Sequence, residues 1–160
     1  MTFREMRRIK QQLSTEECVC VLQRGSSGVL AVVGDDGYPY AVPLSYVYHD
    51  GALFFHGASV GHKLDAIRRN EKFSFCVIDH DEVIPEKLTT AYRSVIAFGR
   101  ARILSDPAEI RAAAQVLGQK YSPGLDAMVN REIEAYLTQM AVVRLDIEHM
   151  TGKIGKELMK

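Results

Sequence analysis

The chain has 160 residues, of which 47% are hydrophobic and 25% charged, as is typical of one soluble globular domain over residues 1–160. Its 20 Lys and Arg residues balance 20 Asp and Glu residues, which argues against nucleic acid or an anionic membrane as the main partner. No stretch approaches the ~20 apolar residues that span a bilayer, and no apolar signal core follows the basic N-terminus. We therefore expect a cytoplasmic protein. Its cysteines, Cys18, Cys20 and Cys76, are expected to be reduced and mostly buried.

The first third of the chain predicts one helix followed by short strands. Ser14 and Glu17 form a capping-box pattern, which starts a helix that ends near Gly25. Strands are predicted over residues 29–33, 40–48 and 52–56, with turns at 34–37 and 50–51. The second turn is Asp-Gly between β-branched and aromatic residues, a strong hairpin pattern because glycine tolerates a positive φ.

A loop of small residues, His-Gly-Ala-Ser-Val-Gly-His-Lys at 56–63, follows the third strand and leads into a helix predicted over 61–70. Backbone N–H groups and a helix N-terminus can face a phosphate, with Lys63 supplying charge and Ser59 a hydroxyl. The pattern predicts a phosphorylated cofactor at the end of a hairpin. The alternatives are a solvated helix-start lysine for Lys63 and an ordinary N-cap for Ser59.

The rest of the sequence predicts strands at 72–79 and 92–104, separated by a polar loop at 80–91, with a bulge at Gly99. Two helices follow, from Asp106-Pro107 and over 125–139, and then a strand at 140–147 and a basic tail. Asp79-His80-Asp81 is interpreted as solvated loop, since neighbouring side chains on an extended loop diverge, and no metal site is predicted. The fold class is α+β, mainly β: a small antiparallel barrel of about six strands with peripheral helices.

Five segments make this chain recognisable. They are Gly-Tyr-Pro-Tyr-Ala-Val-Pro-Leu-Ser-Tyr-Val-Tyr at 37–48, Phe-Phe-His-Gly-Ala at 54–58, Gly-His-Lys at 61–63, Tyr-Arg-Ser-Val-Ile-Ala-Phe-Gly-Arg-Ala at 92–101 and Met-Thr-Gly-Lys at 150–153. In this order and spacing the chain resembles the flavin-binding split-barrel superfamily, the fold of pyridoxamine 5′-phosphate oxidase. Within that superfamily it is most similar to the nitroimidazole-resistance branch.

The resemblance implies a homodimer that binds FMN in a groove at the dimer interface. The cofactor-binding residues it implies fall into five groups: Val42, Pro43, Leu44, Ser45 and Tyr46 along the isoalloxazine; His56 and Gly57 beside it; Ser59, His62 and Lys63 at the phosphate; Tyr92, Arg93 and Ser94 from the partner chain; and Lys153 closing over the ring. The chain has no Trp, whereas the oxidase proper carries a C-terminal Trp and Arg for its substrate. Oxidation of pyridoxamine phosphate is therefore not expected.

The function that the resemblance implies is an FMN-dependent oxidoreductase that reduces a small flat electrophile, such as a nitroimidazole or another nitro-aromatic compound. His56 is the expected catalytic residue, as a donor to a substrate oxygen or a proton shuttle, with a structural hydrogen-bonding role as the alternative. A second hypothesis is a non-catalytic flavin- or haem-binding module for storage, sensing or haem handling, with His56 or His62 as axial ligand. A structural dimer with a vestigial pocket and the use of a deazaflavin also stay open.

Overall fold

The computed structural model describes residues 2–160, which form seven strands and four α-helices. The strands are β1 (Ser27–Val33), β2 (Pro39–Ser45), β3 (Val47–His49), β4 (Ala52–Ala58), β5 (Lys72–Ile84), β6 (Thr89–Ile103) and β7 (Met140–Ile154). The helices are α1 (Thr15–Arg24), α2 (His62–Arg69), α3 (Pro107–Tyr121) and α4 (Asp126–Tyr136). In residues 2–160, no helix has the length and apolar character needed to cross a membrane.

Both predicted helix caps are confirmed. At the start of α1, the hydroxyl of Ser14 accepts the N–H of Glu17, and the carboxylate of Glu17 accepts the N–H of Ser14. At the start of α3, the carboxylate of Asp106 accepts the N–H of Ala108, beside Pro107 in the first turn. Each cap satisfies N–H groups that have no partner within the helix, so short local patterns suffice to fix where these helices begin.

All strand pairs are antiparallel, and the strand order is β2-β1-β5-β6-β7-β4-β3. The two edge strands, β2 and β3, are neighbours along the chain and are joined by Tyr46 alone. Because one residue connects opposite edges, the sheet has to curl until those edges meet, although no hydrogen-bonded ladder closes it. The mainly-β split barrel expected from the sequence is therefore confirmed, with seven strands rather than about six.

The single strand predicted over 40–48 is broken at Tyr46. The side chain of Tyr46 is fully buried, and its hydroxyl donates to the carbonyl of Leu22 at 2.6 Å. Its backbone N–H donates to the hydroxyl of Tyr121 at 2.8 Å instead of to a neighbouring strand. The last strand is longer than predicted. β7 extends to Ile154, seven residues beyond the predicted end at 147, and includes part of the basic tail.

The prediction of a polar loop at 80–91 is wrong. β5 runs on to Ile84 and β6 begins at Thr89, so the two strands form a hairpin closed by a short 3₁₀ turn, Pro85–Lys87. The hairpin projects beyond the core, because Val83 and Leu88 are 70% and 95% exposed. Its polar composition reflects the exposure of its tip, residues 81–83 and 85–88, and not the absence of strand structure.

Helices cover the sheet unevenly. α1 and α2 pack with the inward-facing side chains of the barrel, which form the larger core cluster. α3 packs against the outward face of β3, β4 and the first half of β7, where Phe54, Leu117 and Val142 belong to a second buried cluster. The outward face of β1, β5 and β6 carries no helix, so this half of the barrel surface is open.

Candidate functional site

A cleft of about 920 Å³ lies between α3, α4 and the ends of β2 and β4. Four of the residues selected from the sequence line it: Leu44, Ser45, His56 and Gly57. The helices supply a mainly apolar wall, and the polar lining side chains include Glu132 of α4. Concave, largely apolar sites with a few polar groups, in the range of ~300–1,000 Å³, are typical of small-molecule and cofactor binding.

Lys63 lies directly behind Gly57. A Cβ atom placed on Gly57 would be 3.9 Å from both Cε and Nζ of Lys63, so the glycine leaves the space beside the ammonium free. In residues 2–160 Lys63 forms no ion pair. The N-cap of α2 is Gly61 at φ +146°, which supplies no side chain to the first-turn N–H groups. An unpaired cation therefore adjoins a helix N-terminus without a side-chain cap.

His56 faces the side of β4 that α3 and α4 cover. It pairs with Val142 in β7 and has the same strand parity as Phe54, which is buried under α3. The imidazole is exposed and takes part in no hydrogen bond or ion pair within residues 2–160. Its ring nitrogens are therefore free for a molecule that enters the cleft.

His62 and Ser59, both predicted at the phosphate, are placed differently from Lys63. The Nε2 atom of His62 accepts the N–H of Asp35 at 3.4 Å, and its ring lies 4.1 Å from the ring of Tyr40. His62 thus binds α2 to the β1–β2 turn through one of its two ring nitrogens. Ser59 is exposed in the segment between β4 and α2, two residues after Gly57.

Tyr46 and Val42 contribute to the core. The carbonyl of Tyr46 accepts from Nζ of Lys120 at 2.8 Å, and the same ammonium lies 4.1 Å from the centroid of the Tyr46 ring. Burial raises the pKa of Tyr46 and lowers the pKa of Lys120. With its hydroxyl, N–H and carbonyl all engaged inside the chain, Tyr46 does not line the cleft and has no free polar group to offer a ligand.

Pro43 is exposed in β2, where it pairs with Val29 of β1. The remaining predicted residues form a second group, Tyr92, Arg93, Ser94 and Lys153. Ser94 is paired with Lys153 across β6 and β7, and Nζ of Lys153 lies 5.4 Å from the ring centroid of Tyr92. Lys153 is 13 positions along β7 from Met140, which lines the cleft, or about 40 Å of extended strand. One chain therefore does not bring this group to the cleft.

The open half of the barrel surface is apolar. Val29, Cys76 and Ile96 lie side by side on neighbouring strands, and Ile78 is two residues from Cys76 on the same face. Val29, Ile78 and Ile96 are 39%, 60% and 41% exposed. We call these four residues the open face. Ser94 and Lys153 border it, because Ser94 is paired with both Ile78 and Lys153.

Comparison with known proteins agrees with this geometry. Residues 14–154 match the family model of pyridoxamine 5′-phosphate oxidase. The chain belongs to the pyridoxamine 5′-phosphate oxidase family. The family expected from the five sequence segments is thus confirmed, whereas no curated protein sequence matches the chain.

Solved structures share the fold of this oxidase-family chain. A FAD-binding protein of Mesorhizobium loti is 28% identical with a TM-score of 0.66, over 91% of this chain and 97% of that one. A FAD- and haem-binding protein of Mycobacterium smegmatis is 23% identical with a TM-score of 0.80, over 91% and 74%. A candidate 5-nitroimidazole antibiotic resistance protein of Bacteroides thetaiotaomicron is 18% identical with a TM-score of 0.73, over 89% and 86%.

Sequence reasoning missed two features of this family member. The first is the helical wall of the cleft, because the apolar stripe of α4 at Val129, Ile133 and Tyr136 is also the pattern of an ordinary core face. The second is Asp79. The interpretation of Asp79-His80-Asp81 as solvated loop is wrong here, because Asp79 is an extra residue in strand β5 with a side chain only 5% exposed. Its ionic partners lie far away in sequence, so no local pattern marks it.

Proposed function

We propose that this chain binds FMN at the interface of a homodimer and transfers electrons from it to a small flat electrophile such as a nitro-aromatic compound. The observation that carries the proposal is the unpaired ammonium of Lys63 beside Gly57, at a helix start without a side-chain cap, next to the cleft that contains His56. Family membership supports the flavin, and a 28% identical relative is a FAD-binding protein.

The residues present fit a phosphorylated flavin. Lys63 and the first-turn N–H groups of α2 offer charge and hydrogen bonds to a phosphate, and Gly57 leaves room for its oxygens. The adjoining cleft is apolar on the helix side, as an aromatic ring system requires, and polar at Ser45 and His56. Ser59 completes the proposed phosphate loop, and His62 contributes by fixing the orientation of α2.

A flavin held by Lys63 and the first turn of α2 would supply the electron-transfer chemistry between a reduced donor and the substrate. The protein has to hold the substrate flat against the ring and provide a proton. A ring N–H of His56 is available to donate to a nitro oxygen, because no group in residues 2–160 engages it. The apolar wall of α3 and α4 limits the access of water to the same place.

The open face is the surface proposed for the second chain. Val29, Ile78 and Ile96 form an exposed apolar patch, and such patches mark interaction sites when they are contiguous. Ser94 and Lys153 border the patch, so a second copy bound there would receive them at the interface. A dimer of this kind would explain why Ser94 and Lys153, which are predicted to contact the flavin, lie far from the cleft of their own chain.

The test is the visible absorption spectrum of the purified protein, alone and after addition of FMN or FAD. We expect flavin bands that are released on denaturation, and tighter binding of FMN. Lys63→Ala should weaken the affinity about tenfold, since a hydrogen bond to a charged group is worth ~1.5–3 kcal/mol. Lys87→Ala removes the same charge from the exposed β5–β6 turn and should leave the affinity unchanged.

Other outcomes contradict parts of the proposal. Equal affinities of Lys63→Ala and the parent protein would remove the phosphate assignment. A haem band in place of flavin bands would support the non-catalytic module, with His56 as the axial ligand because its ring is free. A colourless protein that binds neither flavin would leave the fold and overturn the function.

A further inference from the structure

We infer that the cleft selects flat aromatic substrates that carry a positive charge opposite the reacting group, and that Glu132 is the residue that selects them. This inference rests on the proposed function and names its substrate class. It is carried by the lining of the cleft, which combines apolar walls with one carboxylate and no Lys or Arg.

Glu132 lies on the face of α4 that forms the cleft wall. Met128, Glu132 and Tyr136 are spaced four residues apart, so they follow one another along one side of the helix, and all three line the cleft. The carboxylate is therefore presented between an apolar and an aromatic side chain. A flat ring lying along this wall has its edge within reach of Glu132.

The charge of Glu132 is not neutralised by the chain. The other glutamate of α4, Glu134, is paired with Arg111 of α3 at 2.7 Å, whereas Glu132 forms no ion pair within residues 2–160. A carboxylate at an apolar wall attracts a cation more strongly than one in open water, because the local dielectric is lower. The side chain is exposed, so the attraction is modest and has to come from a ligand.

The one lysine of α3, Lys120, and the one lysine of α2, Lys63, both lie outside the lining of the cleft. Nζ of Lys120 donates to the carbonyls of Gly25 and Tyr46, and does not line the cleft. Lys63 is behind Gly57 and is assigned to the cofactor phosphate. Anionic substrates therefore meet a carboxylate without a compensating cation, and a phosphorylated pyridoxamine is disfavoured on electrostatic grounds.

The test uses three probes with the same nitrophenyl ring and different charge: 4-nitrobenzylamine as the cation, 4-nitrobenzyl alcohol as the neutral form and 4-nitrobenzoate as the anion. Binding to the flavin-loaded protein is measured by calorimetry at pH 7 and low salt. We expect the cation to bind about fivefold more tightly than the alcohol, as a partly exposed ion pair allows, and the anion to bind most weakly. The preference should decrease with added salt.

Glu132→Gln should make the cation and the alcohol bind equally while the affinity for the alcohol is unchanged. Glu86→Gln, in the exposed β5–β6 turn, changes the net charge by the same amount and should keep the full preference. If both variants lose it, or if the parent protein binds the anion best or none of the probes, the inference is overturned. Repeating the titrations without flavin separates the two claims: a protein that binds no flavin but still prefers the cation refutes the proposed function alone.

Discussion

At Gly57 the absence of a side chain leaves the ammonium of Lys63 open on one side. The nearest atoms to a Cβ built there are Cε and Nζ of Lys63, both at 3.9 Å, which is an ordinary van der Waals distance. The fold itself thus has room for a methyl group at this position. What such a group takes away is space beside the charge, which matters only if a ligand occupies that space.

Gly57→Ala therefore separates folding from cofactor binding. Without flavin, its melting temperature should equal that of the parent protein, because the added methyl makes no close contact. Affinity for FMN should decrease about tenfold, since added methylenes in a filled site cost ~1–3 kcal/mol. Both are measured on one preparation, by thermal unfolding and by fluorescence titration. Unchanged affinity would place the phosphate elsewhere, and a lower melting temperature would show that the glycine serves packing.

Individual site residues could be predicted only where local pattern and tertiary position agree. The small-residue loop predicted at 56–63 contains both Gly57 and Lys63, which lie side by side in the structure. The side of β4 that His56 faces was not predicted and follows from the pairing with β7. The single strand predicted over 40–48 fails at Tyr46, because its buried hydroxyl and its backbone bond to Tyr121 interrupt the strand there. His62 likewise interacts with Asp35, 27 residues earlier, which spacing within its own segment does not reveal.

At the scale of elements, Asp79 at the bulge of β5 links this strand to α1 and β6 through ion pairs. Its carboxylate is 2.6 Å from Nη2 of Arg24 in α1 and 2.8 Å from Nε of Arg93 in β6. Burial alone would raise the pKa of Asp79, but the hydrogen bonds and charges of Arg93 and Arg24 outweigh it and lower the pKa below its usual value. The ionised carboxylate is therefore the form that the folded protein stabilises.

Asp79→Asn should lower the free energy of unfolding by about 2 kcal/mol at pH 7, the scale of hydrogen bonds to charged groups reduced for the exposure of both arginines. Because the pKa of Asp79 is lowered in the folded state, its contribution is present above the unfolded value of ~3.9 and is lost as the pH falls through the folded value. The deficit of the variant should thus be constant from pH 7 to about 5 and shrink at lower pH.

Urea unfolding at several pH values measures that deficit. Asp81→Asn is the matched control, since Asp81 is exposed two residues further along β5 and has no ion pair within residues 2–160. Equal deficits for the two variants at pH 7, or a deficit for Asp79→Asn that is as large at pH 3 as at pH 7, would contradict a stabilising role for the ion pairs.

Most elements could be predicted, but their lengths depend on contacts that the local sequence does not contain. Capping residues define the starts of α1 and α3, and turn residues define the hairpins. The extension of β5 and β6 past 80 has no apolar alternation to reveal it, because neighbouring residues 81–83 and 85–88 at the hairpin tip are all exposed. The cleft wall escaped prediction for a related reason: α4 covers a cavity with the same side chains that a helix uses to cover a core.

At the scale of the whole molecule, the barrel surface has two different sides, one covered by helices and one uncovered. The outward side of β3, β4 and the first half of β7 is covered by α3 and α4, which create the cleft. The open face on β1, β5 and β6 has no helix, and its side chains are apolar. Ser94 and Lys153 border that second side. A complete site therefore requires two chains if those residues contact the flavin.

Ile96→Glu tests this requirement. It places a charge in the middle of the open face, between Cys76 of β5 and Thr151 of β7. An unpaired charge buried in an interface is strongly unfavourable, so the variant should be monomeric in light scattering coupled to size-exclusion chromatography. Val83→Glu adds the same charge to the exposed hairpin, where Val83 is 70% exposed, and should stay dimeric.

The spectrum of the Ile96→Glu monomer then decides how the site is divided between chains. If residues of the partner complete it, the monomer should lose flavin affinity although His56, Gly57 and Lys63 are unchanged. Retention of flavin by a monomer would mean that one chain holds the whole cofactor. A dimer that persists despite the substitution would move the interface away from the open face. Loss of flavin by Val83→Glu as well would point to a general effect of added charge and contradict the assignment to this surface.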